Sequence, residues 1–144
     1  MRWLLLSTDA SAIQLILRLT LAIVIFPHGA QKALGWFGGY GFKGTMGYFG
    51  QKFPPPLGFL AIMAEFLGSI GLAIGLLTRV AALGIACVMV VAVLTTHTPH
   101  GFFMNWTGNQ KGEGFEFHLL VLGIALALIL GGAGVWSVDR LLAP

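Results

Sequence analysis

Four long apolar stretches constrain the fold of this chain more than any other feature of its sequence. They cover about residues 11–28, 57–77, 80–97 and 115–132. Each is close to the roughly 20 apolar residues that a helix needs to cross the hydrocarbon core of a bilayer. Backbone groups in lipid must be bonded within the protein, and these stretches do not alternate as barrel strands do, so helices are expected. We therefore predict an all-α integral membrane protein, a single domain built as an antiparallel four-transmembrane-helix bundle.

The composition excludes a water-soluble domain. Hydrophobic residues make up 57% of the chain and charged residues 9%, whereas soluble domains carry roughly 25% charged residues. The net charge of +3 comes from scattered residues rather than a basic cluster. The sequence thus predicts the lipid bilayer as a partner and predicts no nucleic-acid partner.

Four spans place both chain ends at the same end of the bundle, which we call face A. Face A holds Arg2, Asp9, the turn at Thr78 and Arg79, and the tail 137–140, while the opposite end, face B, holds segments 29–56 and 98–114. Basic residues in short loops favour the cytoplasmic side of a membrane. Arg79 in its very short turn therefore favours face A, and with it both termini, as cytoplasmic.

The long loop 29–56 between the first two spans interleaves glycines with aromatic residues. Aromatic rings favour the level of the lipid headgroups, so the loop is expected to anchor at the interface, with a short helix near 44–53. The alternative is a lid over a site between the helices, because long structured loops are often functional.

Arg18 has the highest free-energy cost of membrane insertion of any residue in the chain, because it is a charged residue inside an apolar run. It stands ten positions before His28, hence about 15 Å below face B if the first helix ends there. Glu65 stands eight positions past Leu57, hence about 12 Å below the same face. The sequence therefore predicts a buried Arg18–Glu65 pair, either functional or a polar staple that fixes helix register.

All four histidines fall at or near face B: His28, His97, His100 and His118. His97 and His100 have a spacing that places both rings on one helical face. With Glu116 nearby, this set suits zinc, iron or copper. The spacing matches no recognised metal signature, so His97, His100 and His118 are only candidate ligands.

The same residue types also suit proton-coupled chemistry of a quinone, because histidine titrates near neutral pH and can pass protons. Phenylalanine and tryptophan of the face-B loops would supply the walls. In this hypothesis the catalytic candidates are Arg18, Glu65 and His97, and the candidates for holding the quinone are His28, Lys32, His100, Phe103 and Glu116.

Several short motifs in a fixed order resemble the DoxX family of small bacterial membrane proteins. They are H-G-x-x-K at 28–32, G-G-x-G at 38–41, E-F-x-G at 65–68, L-T-R at 77–79 and the terminal G-A-G-V-W-S-V-D at 132–139. The resemblance covers nearly the whole chain.

The resemblance implies a four-helix bundle in the bacterial inner membrane. The family name derives from a subunit of a thiosulfate:quinone oxidoreductase, and other members are associated with quinone or catechol stress and with thiol-redox partners. It thus implies a quinone-linked redox component acting with partner proteins in a larger complex. Two alternatives stay open: a non-catalytic accessory subunit of a membrane complex, and a metal-binding or proton-conducting bundle.

Overall fold

The computed structural model describes residues 5–8 and 10–143, and all of the regular structure in this part of the chain is helical. The helices are α1 (Ala12–Ala33), α2 (Gly41–Phe49), α3 (Pro55–Ile74), α4 (Thr78–Ala92), α5 (Glu116–Gly131) and α6 (Val138–Leu142). A 3-10 turn at Trp36–Gly38 precedes α2, and α4 continues through a π turn (Val93–His97) and a 3-10 turn (Thr98–His100). The predicted all-α class is confirmed, while Arg2 and Asp9, which were assigned to face A, lie outside the described residues.

Within the described residues, three helices are long and apolar enough to cross a membrane. They are α1, α3, and α4 together with its two terminal turns, with 22, 20 and 23 residues. At 1.5 Å per residue each spans about 30 Å or more, the thickness of a hydrocarbon core. The fourth apolar helix, α5, has 16 residues.

The helices pack in chain order around one aliphatic core. α3 lies between α1 and α4, α4 lies between α3 and α5, and α5 returns to contact α1. The fully buried residues that this arrangement brings together include Leu21, Ile25, Leu72, Ile85 and Leu128.

α1 and α3 are in close backbone contact at Gly29. A Cβ atom added at Gly29 would lie 2.6 Å from Cα of Phe66, so the two backbones touch there. Glycine at such a crossing is the usual device for close packing of membrane helices. The contact fixes the antiparallel register of α1 against α3.

α1 continues through Pro27 and ends at Ala33, so the expected end near residue 28 is wrong. Proline lacks an N–H, but membrane helices tolerate it where neighbouring groups satisfy the freed carbonyl. The extension carries Lys32 onto the same helix as His28 and one turn beyond it. In the following segment, α2 covers Gly41–Phe49 rather than 44–53.

Face A is closed by the chain that follows α5. The carboxylate of Asp139 accepts hydrogen bonds from the backbone N–H groups of Leu77 (2.6 Å) and Thr78 (2.8 Å). In return, the Asp139 N–H donates to the carbonyl of Gly75 (2.8 Å). Because the first N–H groups of a helix lack partners within it, Asp139 caps α4 and ties the tail to the α3–α4 turn.

Candidate site at face B

Arg18 lies at face A and does not contact Glu65. Its buried guanidinium donates to five backbone carbonyls, those of Leu72, Ala73, Ala133, Val135 and Trp136, at 2.5–3.3 Å. The first two carbonyls belong to the last turn of α3, where carbonyls lack helical partners and the helix dipole favours a cation. The predicted Arg18–Glu65 pair is therefore wrong, and Arg18 holds the end of α3 against the tail.

Glu65 pairs instead with Lys32. The Lys32 Nζ atom lies 2.5 Å from Oε2 of Glu65, and the Glu65 side chain is only 5% exposed. The predicted depth of Arg18 was wrong because α1 extends five residues, or about 7.5 Å, beyond His28. The register set by Gly29 then places Lys32, rather than Arg18, opposite Glu65.

His28 stands one turn before Lys32 on α1. Residues four apart on a helix are neighbours on its surface, so His28 and Lys32 share one face of α1. The ring of Phe117, at the start of α5, lies 6.5 Å from the ring of His28, centroid to centroid. His28 thus lies between the ion pair and α5.

His97 and His118 form a close pair on α4 and α5. Their ring centroids are 4.1 Å apart. The Nδ1 atom of His97 lies 2.8 Å from the carbonyl oxygen of Glu113; because a carbonyl only accepts, this nitrogen carries the hydrogen, and the Nε2 atom of the neutral ring holds a lone pair. His118 is buried, and its Nδ1 atom has no hydrogen-bond partner among the described residues.

A cleft of ≈ 810 Å³ opens between the end of α1 and α2. Its lining includes the polar side chains of Gln31, Lys32 and Thr45 and the aromatic rings of Tyr40, Tyr48 and Phe49. Lys32 therefore belongs both to the buried ion pair and to the wall of an aromatic cleft at face B.

Comparison with known proteins gives the family. The family profile named DoxX matches residues 13–98, more than half of the chain. The chain belongs to the DoxX family. It is also 30% identical over 128 residues to "Inner membrane protein YqjF" of Escherichia coli (strain K12), a match that covers 89% of this chain and 90% of that relative. No solved structure is a significant match.

The chain is thus a DoxX membrane protein, and two of the sequence motifs quoted for the family meet at the ion pair. H-G-x-x-K supplies His28 and Lys32, and E-F-x-G supplies Glu65. All three lie inside the segment that the DoxX profile matches, which ends before His118. The L-T-R motif and the terminal motif meet at face A, where Asp139 caps α4.

The other three candidates for holding a quinone, His100, Phe103 and Glu116, make their described contacts within the loop that precedes α5. The Oε1 atom of Glu116 accepts from the Met104 backbone N–H (2.8 Å) and from Nε1 of Trp106 (3.1 Å). The ring of His100 packs on the loop backbone at Gly112, and the ring of Phe103 packs edge-on against the ring of Phe102. These contacts shape the loop and leave the Glu116 carboxylate engaged.

The candidate metal ligands are only partly brought together. His97 and His118 are in contact, but the described residues contain no group of three or more His, Cys, Asp or Glu side chains able to hold a metal ion. His97 and His100 lie in a π turn and a 3-10 turn rather than in an α-helix, and both rings lie against the loop at 112–113.

Sequence reasoning assigned no partner to Lys32. The signal was present: His28 and Lys32 are four residues apart, so they share a helix face if the helix continues past Pro27. The contributions of Gln31, Thr45 and the two tyrosines to the cleft had no comparable signal, because they depend on how α2 folds back over the end of α1.

Proposed function

We propose that this DoxX protein resides in a bacterial inner membrane and crosses it four times, with face A cytoplasmic. The helical length of α5, about 24 Å, is short for a hydrocarbon core of about 30 Å. The residues that flank α5 within the predicted 115–132 span add part of the missing length. The name of the E. coli relative supports the inner-membrane location.

We further propose that face B carries the quinone site of a membrane redox complex. The observation that carries this proposal is the position of Lys32, which pairs with buried Glu65 and also lines an aromatic cleft. Small-molecule sites typically occupy 300–1,000 Å³ and combine apolar walls with few polar groups. The cleft fits this description in both volume and lining.

When bound, a quinone supplies reversible two-electron, two-proton redox chemistry. In this site Lys32 would donate a hydrogen bond to a quinone oxygen, while Glu65 holds the ammonium in place. Tyr40 and Tyr48 offer ring faces for stacking against the flat headgroup. His28, one turn from Lys32 on α1, would accept or return a proton.

Quinone content of the purified protein tests this proposal. Wild-type protein isolated in mild detergent should yield bound quinone on solvent extraction, in a defined ratio to protein. The double variant Lys32→Met with Glu65→Leu, which removes both charges together, should lose it. The matched control Lys43→Met removes an exposed lysine of α2 and should keep it. Wild-type protein without quinone, or equal content in all three proteins, would overturn the proposal.

A second candidate function is that of an accessory subunit. The span formed by α4 and its terminal turns has only 17% of its most apolar window buried within the chain, compared with 28% for α1 and 33% for α3. This exposed face would pack against a larger membrane protein. The test is co-purification: a stable partner in mild detergent supports this function, and a chain that purifies alone under the same conditions argues against it.

A further inference from the structure

The ion pair at face B is separated from face A by the aliphatic core. Leu21 and Ile25, each 1% exposed, lie between Arg18 and Lys32 along α1 and pack in the core with the fully buried Leu72. The buried Ser69 hydroxyl on α3 donates to the Phe66 carbonyl one turn back (2.9 Å) and is thereby engaged. A proton at the ion pair therefore meets apolar side chains in the direction of face A.

In the direction of face B the polar groups continue. The ring of Phe117 lies 6.5 Å from the ring of His28 and 5.6 Å from the ring of His118, and the rings of His118 and His97 are 4.1 Å apart. The three histidines therefore lie close together at face B. His97 in turn reaches the loop at the carbonyl of Glu113, an exposed residue. The sequence of groups runs from Lys32 and Glu65 through the three histidines to the surface.

We propose that the His97–His118 pair exchanges protons between the Lys32–Glu65 site and face B, and that the site is closed to face A. The reaction that consumes or releases these protons rests on the proposed quinone function. The proton path does not depend on that reaction. The main support is the buried Nδ1 atom of His118. A buried nitrogen without a hydrogen-bond partner destabilises the fold, so its presence calls for an explanation.

The proton count along the path is simple. In a neutral imidazole one nitrogen carries a hydrogen and the other a lone pair. A proton from the site adds to the lone pair of His118, and the resulting imidazolium gives its other ring proton to the lone pair on Nε2 of His97. The His97 imidazolium then gives the proton on Nδ1 to water at face B, and both rings are neutral again. The titratable groups near the pair are Glu113, whose carbonyl oxygen contacts His97, and His28, on the other side of the Phe117 ring. Lys32, paired with Glu65, stands one turn beyond His28 on α1.

The experiment uses the full chain in lipid nanodiscs with ¹⁵N-labelled histidine and no quinone. Nuclear magnetic resonance measures the exchange rate of the His118 ring proton with water. In His97→Asn, whose amide still donates to the Glu113 carbonyl but cannot relay a proton, the rate should fall by about tenfold or more. The control His100→Asn should leave it unchanged. Equal rates in the wild type and His97→Asn would overturn the relay.

A second measurement tests the closed end and needs no variant. Wild-type protein in sealed vesicles with a trapped pH-sensitive dye should conduct protons no faster than protein-free vesicles after an external pH jump. Faster conduction would overturn the closure. Absence of quinone from the purified protein together with slowed exchange in His97→Asn would reject the quinone site while retaining the relay, so the two failures are distinguishable.

Discussion

Arg18 and Lys32 are both cations of α1, and the bundle satisfies them in different ways. Arg18 is surrounded by backbone carbonyls from α3 and the tail, whereas Lys32 faces a single buried carboxylate. A guanidinium, with five N–H donors in a plane, can bind several carbonyls at once. The lysine ammonium is a compact charge on a flexible chain and suits a single carboxylate. The first arrangement fixes structure, and the second leaves a group that a ligand can reach.

The first prediction concerns Arg18. Arg18→Met should lower the free energy of unfolding by about 3 kcal/mol or more, because several buried carbonyls lose their donor at about 1–3 kcal/mol each. Denaturant unfolding in mixed micelles measures this. The exposed Arg140→Met is the control and should change stability by no more than about 0.5 kcal/mol. Equal stability of the two variants would contradict the structural role of Arg18.

The second prediction concerns the ion pair. Lys32→Met alone should cost about 3–5 kcal/mol, because Glu65 is left buried without its partner. Adding Glu65→Leu should restore most of the loss, since an apolar pair can replace a buried ion pair. Unfolding of the two single variants and the double variant gives the coupling energy. Strictly additive losses would show that the two charges do not interact.

At this scale the sequence predicted the burial of Arg18 and Glu65 but not their partners. The predicted depth of Arg18 depended on the end of α1, which was placed near His28. A proline inside a membrane helix, such as Pro27 in α1, looks the same in sequence as one that ends it. The five carbonyls that bind Arg18 were also not predictable, because backbone acceptors leave no trace in residue identity.

At the scale of helices, the crossing of α1 and α3 sets the register of the whole site. Gly29→Ala should destabilise the protein, because the new methyl group would lie 2.6 Å from the Phe66 backbone. Gly123→Ala on α5 is the matched control: no atom lies within 4 Å of its added methyl, and alanine favours a helix by about 1 kcal/mol over glycine. Thermal unfolding should move in opposite directions for the two variants, and a shared direction would contradict the close crossing.

The cap on α4 gives the fourth prediction. Asp139→Ala should cost about 2 kcal/mol or more, because the buried N–H group of Thr78 and the part-buried N–H group of Leu77 lose their acceptor. Asp139→Asn keeps one acceptor oxygen and should cost less. Hydrogen exchange of the Leu77 and Thr78 amides measures the effect locally. Unchanged protection of these amides in Asp139→Ala would show that the cap does not stabilise α4.

The helical elements themselves followed well from the sequence. Long apolar runs without alternation can only be helices in lipid, so α3 and α4 were located to within a few residues. The irregular parts were not, because the fold of 34–54 and of 101–115 depends on tertiary contacts. Glu116 illustrates this: its place beside the histidines in sequence predicted a site, but its carboxylate binds the loop.

For the molecule as a whole, the two faces have different roles. Three side chains hold face A together: Arg18, Asp139 and Arg79. The guanidinium of Arg79 donates to the carbonyls of Ile129 and Ser7. Face B holds the ion pair, the histidines and the cleft. The division separates the contacts that hold the bundle together from the groups that we propose for the chemistry.

Photoaffinity labelling tests this division most directly. A quinone bearing an azide on its ring is irradiated with the wild-type protein in nanodiscs, and the labelled peptides are located by mass spectrometry. Labelling should concentrate in 31–51, around the cleft, and excess unlabelled quinone should compete it away. Labelling at 133–141 on face A, or evenly along the lipid-facing helices without competition, would contradict a quinone site at face B.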